Sequence, residues 1–221
     1  MSQMHSVYEQ MRENILSLGM KPGERFSERT LESRFEASRT PIRAALSRLE
    51  GEGLVCRDER GWSVTPISFG EIEQVSEFRR CIERDAIALA CERADPGHID
   101  VVVEMVTSCT IDGPRAEWHR VGTELHVEIA RMSGNAFFVR AIEDVMLRLA
   151  RARWLEVWTT EGRERSIREH LHILELIRER RRDEAVEAIT THASDACRRS
   201  LAALMGDTKQ RRGLAIVGGS A

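Results

Sequence analysis

The sequence lacks a long apolar run, and it has few aromatic side chains. No uninterrupted apolar stretch approaches the ~20 residues that cross a bilayer, and the N-terminus has no apolar signal core. The five cysteines are odd in number and scattered, with no C-x-x-C pair. These features favour a cytoplasmic protein whose cysteines are mostly buried, free thiols.

An excess of basic charge is also missing. The formal net charge is −3 and the pI is near 6.2, which argues against a protein that coats nucleic acid indiscriminately. The composition is that of a globular protein, with 42% hydrophobic and 31% charged residues. A chain of 221 residues has room for one large or two small domains.

What is present is a helix-turn-helix pattern between Ser27 and Val55. Ser27 is a good N-cap for a first helix, the turn falls at Glu36-Ala37, and Ser38 can cap a second helix. In that helix the apolar residues follow an i, i+3, i+4, i+7 spacing that predicts a core face; they are Ile42, Ala45, Leu46 and Leu49.

The opposite face of the second helix is basic. Residues 34–48 contain four arginines and one carboxylate, a local charge of +3 on a chain of net charge −3. Arg39 and Arg43 are one turn apart and can reach the same groove. A local positive face indicates a phosphate-facing surface, although a solvated arginine face of an amphipathic helix explains the periodicity equally well.

The order of the motifs from Val7 to Ser68 resembles the winged helix-turn-helix of the GntR family of transcription regulators. The motifs are KPGERFSER, SRTPIRAAL, RLEGEGLV and RGWSV. The resemblance implies that two strands near 54–57 and 62–65 form the wing, and that a set of polar residues contacts DNA: Arg29, Ser38, Arg39, Thr40, Arg43, Arg60 and Gly61. The family usually has a glycine in the turn that Glu36-Ala37 forms here.

From Glu71 onwards the pattern is helical, with six helices expected at about 70–94, 98–109, 115–132, 136–158, 163–180 and 183–205. This half resembles the FCD ligand-binding domain of FadR-type GntR regulators, through FRRCIE, ELHVEIARMSGN and REHLHILELIRERRRDEAVEAITTHA. The expected organisation is mainly α: a winged domain at 1–66, a linker at 67–70, a helical domain at 71–205 and a disordered tail at 206–221.

His126, His170 and His192 fall on three separate expected helices, at positions where the FCD pattern has metal ligands. That pattern also has an Asp four residues before the first histidine, where this chain has Gly122, so the carboxylate ligand is lost. Three alternatives follow: a three-histidine site for Zn²⁺ or Ni²⁺ completed by water or an effector carboxylate, a weak metal site, or a metal-free pocket in which imidazoles bind an anion.

Two further residues match the FCD pattern as effector contacts, Arg79 and Asn135. Arg79 can grip a carboxylate with two donors, or it can pair with Glu83 one turn later. Asn135 can contribute to the pocket or cap the helix that follows it.

The sequence therefore predicts a homodimeric, DNA-binding transcription regulator that reads a pseudo-palindromic operator, acts as a repressor and responds to a small organic or sugar acid. A metal-responsive regulator is the first alternative. A metal-dependent enzyme built on the three histidines is the second, but no H-E-x-x-H motif is present and the winged head would be unexplained.

Overall fold

The computed structural model describes residues 3–110, 112–156, 159–210 and 216–217. It divides into two compact units. The first unit, here called the winged unit, consists of the chain up to Glu71 together with the segment from Asp207 onwards. The second, here called the helical unit, is Ile72–Gly206. Within the described residues, no helix is long and apolar enough to cross a membrane.

The winged unit begins with three helices. They are α1 (Gln3–Leu16), α2 (Glu28–Arg34) and α3 (Arg39–Gly51). The Ser27 hydroxyl accepts a hydrogen bond from Thr30 N, as the sequence predicted for an N-cap. The apolar stripes of α1 and α3 are buried and form the core of this unit, which includes Met11, Ile15, Ile42, Leu46 and Leu49.

The wing is an antiparallel sheet of order β1-β3-β2, formed by β1 (Arg25–Phe26), β2 (Val55–Asp58) and β3 (Gly61–Val64). The hairpin register pairs Val55 with Val64 and Asp58 with Gly61. The sequence predicted the hairpin but missed β1, because a two-residue strand has no measurable alternation. Gly61 has φ of 111°, a value that favours glycine and explains its place after the hairpin tip.

The turn between α2 and α3 is kept without the usual glycine. Glu36 itself adopts the left-handed conformation, with φ of 48°. A residue with a Cβ is less stable than glycine there, by about 1–2 kcal/mol before the unfolded chain is considered. The turn therefore forms with a strained glutamate at residue 36.

The helical unit contains the six helices that the sequence predicted. Their observed bounds are α4 (Phe69–Arg93), α5 (Pro96–Thr107), α6 (Arg115–Met132), α7 (Ala136–Glu156), α8 (Thr160–Arg178) and α9 (Arg182–Gln210). The main core joins α4, α5, α6, α8 and α9 through buried aliphatic side chains such as Ile87, Val102, Leu125, Ile173 and Ile189. A smaller cluster packs α7 on α6 through Val127, Ile142 and Met146.

The segments expected to be linker and tail contain regular structure. The linker holds β4 (Ile67–Ser68) and the beginning of α4, since α4 starts at Phe69. In the tail, where disorder was expected from residue 206, α9 continues to Gln210, and β5 (Ile216–Val217) pairs in parallel with β4. The remaining tail residues, 211–215 and 218–221, lie outside the described residues.

Arg180, in the arginine-rich segment that follows α8, contacts the end of α4. Arg180 adopts a left-handed conformation, with φ of 59°, and donates hydrogen bonds to the Cys91 and Ala94 carbonyls at 2.8 and 2.7 Å. It therefore satisfies carbonyl groups at the C-terminal end of α4 that have no partner within that helix.

Candidate functional site

The expected DNA-contacting residues lie on the exposed surface of the winged unit. Arg39 and Arg43 project from the first turns of α3, with 71% and 64% of their side chains exposed. Arg29, Ser38, Thr40 and Arg60 are exposed as well, and Gly61 is half-buried. Ser38 occupies the N-cap position of α3 but makes no side-chain capping bond, so its hydroxyl is not used by the helix.

Glu28, a carboxylate in the first turn of α2, links the two arginines. Glu28 Oε2 accepts a hydrogen bond from Arg39 Nε at 2.8 Å, and its Oε1 lies 3.7 Å from Arg43 Nε. The hydrogen bond from Arg39 lowers the pKa of Glu28 below its usual range. Glu28 therefore holds both guanidinium groups at one place on the surface, where they can face phosphates or base edges.

The helical unit brings the three predicted histidines together. His126 lies on α6, His170 on α8 and His192 on α9, and all three side chains are buried. One ligand nitrogen from each lies within 4.8 Å of the others, and the ring centroids are 4.8 to 5.5 Å apart. The convergence follows from packing, because α6, α8 and α9 share one core.

Two carboxylates lie beside the histidine rings. Glu83 Oε1 lies 2.8 Å from His126 Nδ1, and Glu169 Oε2 lies 2.7 Å from His192 Nδ1. Only the second contact has hydrogen-bond geometry, because Glu83 Oε1 has no hydrogen-bond partner within the described part of the chain. When His192 Nδ1 carries the proton, its Nε2 is left as an acceptor or a metal ligand. Neither glutamate was identified from the sequence as part of the site, since their roles depend on which helix faces which.

Arg79, which the resemblance implied to be an effector contact, lies at this cluster. Its side chain is almost fully buried on α4; Nη2 lies 2.9 Å from His126 Nε2, and Nε lies 3.1 Å from Glu83 Oε1. The alternative role from the sequence, an ion pair with Glu83, is therefore present together with the contact to the histidine. The pair places a cation and an anion side by side in the protein interior.

All three imidazoles are held in their neutral form. Burial is the main cause; it lowers the pKa of His192 to about 3 and takes the pKa of His126 and of His170 well below the usual range. The positive charges of Arg79 and Arg153 act in the same direction. Neutral imidazole is the form that binds a metal ion or accepts a hydrogen bond.

The donor set fits a divalent ion. His170 Nε2 is buried and has no hydrogen-bond partner within the part of the chain that the structure describes, and the carboxylates at His126 and His192 are the type of partner that orients metal-binding imidazoles. An ion bound to His126 Nε2 would displace Arg79 Nη2. No carboxylate completes the set at Gly122, so a bound ion would have three protein ligands and open positions.

Gly122 instead faces an arginine that the sequence analysis missed. A Cβ placed on Gly122 would lie 3.1 Å from Arg153 Nη2 and 3.8 Å from His170 Cε1. Arg153 belongs to α7 and extends towards α6. Its Nη1 donates a hydrogen bond to Thr123 Oγ1 of α6 at 2.7 Å. Because α7 carries no expected site residue, only its packing against α6 reveals the contact.

A cavity of about 240 Å³ opens beside the histidines. Its described lining includes Trp118, Gly122, Arg153, Arg165, His192 and Arg199. The cavity is smaller than the ~300–1,000 Å³ typical of sites for drug-sized molecules, and it can hold about eight water-sized groups at ~30 Å³ each. It therefore suits a small polar ligand.

Asn135, the other expected effector contact, caps a helix. Its Oδ1 accepts a hydrogen bond from Phe137 N at the start of α7, and Asn135 is not among the described residues that line the cavity. Two further polar residues of α6 have partners outside the cluster. His119 Nε2 donates a hydrogen bond to Ala150 O at 2.9 Å, and Glu124 pairs with Arg131.

Comparison with known proteins agrees with this division into two units. Residues 3–64 match the family model described as bacterial regulatory proteins, gntR family, and residues 74–195, more than half of the chain, match the FCD domain. The chain belongs to the gntR family of bacterial regulatory proteins. It is a DNA-binding transcriptional regulator with an FCD domain, and it is not an enzyme.

The sequence similarity between this gntR regulator and known regulators extends over most of each chain. It is 29% identical over 180 residues to the Nta operon transcriptional regulator of Aminobacter aminovorans, covering 80% of this chain and 84% of the relative. It is 23% identical over 193 residues to the HTH-type transcriptional repressor RspR of Escherichia coli, covering 86% and 85%.

Solved structures show the same fold. Escherichia coli McbR/YncC superposes with a TM-score of 0.71 at 19% identity, covering 94% of this chain and 99% of the other. A putative GntR regulator from Rhodococcus sp. RHA1 gives the same TM-score at 18% identity, covering 91% and 99%. At these identities the likeness concerns the fold alone.

Proposed function

We propose that this gntR regulator is a cytoplasmic, homodimeric repressor that reads a pseudo-palindromic operator and is controlled by a small carboxylate bound in the helical unit. The observation that carries the proposal is the pairing of two separate sites. One is an exposed arginine face on α3, and the other is a small cavity beside buried histidines and arginines. The relative named as a repressor supports the sign of the regulation.

DNA recognition rests on Arg39 and Arg43, with Arg29, Ser38, Thr40, Arg60 and Gly61 positioning the phosphate backbone. An arginine that reads a base edge contributes ~1–3 kcal/mol of discrimination, whereas a phosphate contact changes the salt dependence of binding by about one unit of slope. Two copies of the chain would present two such faces to the two halves of an operator.

The experiment is selection of an operator from random duplexes, followed by fluorescence anisotropy with Arg39→Ala and Arg43→Ala at matched salt. Arg168→Ala, an exposed arginine of α8, is the control and should bind like the parent. Both variants should lose about 5- to 100-fold in operator affinity. Parental affinity in both would contradict the assignment, and sedimentation of the full chain as a monomer would contradict the dimer.

Effector control follows from unequal binding to two arrangements of the dimer, since a ligand shifts a population only by its difference in affinity. The test is a thermal-shift screen of organic and sugar acids, followed by operator binding with each acid that stabilises the protein. At least one such acid should release the operator. Stabilising acids that all leave operator affinity unchanged would remove effector control from the proposal.

His126, His170 and His192 are the residues that would hold a divalent ion, Zn²⁺ or Ni²⁺. Such an ion would supply a Lewis-acid contact for an effector carboxylate. Elemental analysis of protein purified without chelator or nickel resin, beside His170→Gln, tests the assignment. One ion per chain in the parent and none in the variant is the expected result; equal content in both would contradict a site at the three histidines.

A metal-responsive regulator, in which the ion alone is the signal, is the second candidate. The described cluster of three neutral imidazoles favours it. Zinc titration in acid-free buffer separates the two, because an ion that changes operator affinity without any organic acid is itself the signal.

A further inference from the structure

The cavity of the helical unit has a strongly positive lining. Its described walls include three arginines, Arg153, Arg165 and Arg199, and no carboxylate. The nearest carboxylate in the described contacts, Glu169, is already engaged, at 2.7 Å from His192 Nδ1 and 3.6 Å from Arg199. A small cavity with this excess of cations favours an anion over a neutral ligand.

The arginines are arranged at different depths. Arg153 is buried, with 9% of its surface exposed, and it lies beside the histidines at Gly122. The Arg199 side chain is 25% exposed, and Arg165 is exposed. Positive charge is therefore present both at the inner end of the cavity and at its mouth, and a ligand with a single acidic group can contact only one of these two ends.

Gly122 creates the room for the inner arginine. A methyl group on residue 122 would place its carbon 3.1 Å from Arg153 Nη2, which is tighter than ordinary van der Waals contact. Any side chain at residue 122 would require the Arg153 guanidinium to move by a few tenths of an ångström. The glycine and the arginine therefore act as a pair, and the glycine sets where the positive charge lies.

We propose that Gly122 and Arg153 form the inner acid-binding subsite of a ligand that carries at least two acidic groups, with Arg199 and Arg165 binding the second group at the mouth. This inference rests on the proposed function for its regulatory meaning, but it concerns only the ligand class. Arg153 holds the inner acidic group with charge-assisted hydrogen bonds, and His192, which also lines the cavity, borders the same group.

The ligand size agrees with this arrangement. A volume of about 240 Å³ holds a short diacid or triacid and excludes a nucleotide or a long acyl chain. Two acidic groups separated by a few carbon atoms also match the separation of a buried and an exposed arginine along one cavity.

Isothermal titration calorimetry of the full chain provides the test. The probes are acetate, succinate and citrate, each with 1,10-phenanthroline, a neutral chelator, and again with saturating zinc after removal of the chelator. We expect succinate or citrate to bind at least tenfold more tightly than acetate in both conditions. Equal affinity for acetate, or failure of both polyacids to bind the parent, would overturn the proposal.

Four variants assign the contacts. Arg153→Met removes the inner charge and should weaken the polyacid at least tenfold, Gly122→Ala should weaken it severalfold, and Arg153→Lys should recover part of the loss. Arg168→Met, on the same helix as Arg165 but outside the described lining, is the matched control and should bind like the parent. Circular dichroism melts check that each variant is folded.

Parental polyacid affinity in a folded Arg153→Met protein would overturn the subsite. Polyacid binding that is present with zinc and lost with phenanthroline would also overturn it, since the ion and not the arginine would then hold the acid. Operator binding is measured separately. If the polyacids bind but do not change operator affinity, effector control is contradicted and the acid-binding subsite is not. If acetate releases the operator as well as succinate does, the subsite for a polyacid is contradicted and effector control is not.

Discussion

The two units use arginine in opposite ways. In the winged unit Arg39 and Arg43 are largely exposed and share the half-buried Glu28, so their charges remain available to a large polyanion. In the helical unit Arg79 and Arg153 are buried beside the histidines, and of the two only Arg153 is among the described residues that line the small cavity. Arginine is therefore used in two kinds of surroundings, and the exposure of each arginine decides whether it can contact a large or a small partner.

The comparison predicts losses of stability of very different size when one arginine is removed from each unit. Arg79→Met leaves the buried Glu83 carboxylate without its cation and should reduce the free energy of unfolding by ~3–5 kcal/mol. Arg39→Met breaks an exposed pair and should reduce it by at most ~1 kcal/mol, while weakening operator binding. Urea unfolding measures both effects.

The double variant Arg79→Met/Glu83→Leu is the control for the buried pair. Removing both charges should restore most of the lost stability, because an apolar pair of similar volume replaces an ion pair with little net change. If the double variant is as unstable as Arg79→Met, packing and not the unpaired charge explains the loss.

Acid should destabilise the protein through its buried histidines. Their folded pKa values lie below 6.5 and that of His192 is about 3, so the unfolded chain binds more protons once the pH falls below ~6.5. The stability present above that pH is lost progressively towards pH 3. For His192 alone the loss by pH 5 is about 2 kcal/mol.

Urea unfolding at pH 7, 6 and 5, with 1,10-phenanthroline present, measures this slope. His192→Gln removes one titrating group and should be less sensitive to pH than the parent. A variant with the parental pH dependence would show that this imidazole is not the origin of the acid sensitivity.

In the winged unit, Glu28→Gln should raise DNA affinity instead of reducing stability. The change releases Arg39 and Arg43 from their carboxylate and removes a negative charge beside the phosphates. A surface ion pair worth ~0.2–1 kcal/mol corresponds to a gain in DNA affinity of up to about fivefold. The gain should be larger for random DNA than for the operator. Anisotropy with both duplexes measures it, with Glu50→Gln as the unaffected control; unchanged random-DNA affinity would contradict the role of Glu28.

The smallest effect is expected at the turn between α2 and α3. Glu36→Gly relieves a left-handed conformation that disfavours a Cβ by ~1–2 kcal/mol, but it also increases the entropy of the unfolded chain by ~0.5–1 kcal/mol. We therefore expect the free energy of unfolding, measured by thermal denaturation, to increase by about 0.5–1 kcal/mol. Glu32→Gly, inside α2, is the control and should lower the free energy of unfolding by about the same amount. If both variants are less stable than the parent, residue 36 has no strain to relieve.

The sequence by itself determined the helices and the candidate residues of the two sites. Apolar spacing in α3 identified part of the core of the winged unit, and motif order identified the three histidines, because periodicity and motif order are local properties. It also identified the loss of a carboxylate at Gly122. Strand β1, the regular structure in the expected linker and the strand in the expected tail were missed, since these segments are too short to have a pattern.

Only the tertiary structure decided what surrounds each candidate residue. Glu28 is eleven residues from Arg39 in the chain, and Arg153 comes from a helix without any expected site residue, yet both lie at the centre of a site. Their contacts depend on how helices pack across the fold, and single-helix periodicity contains no information about that packing. The sequence showed that a ligand was missing at residue 122, and the fold showed that a guanidinium lies there.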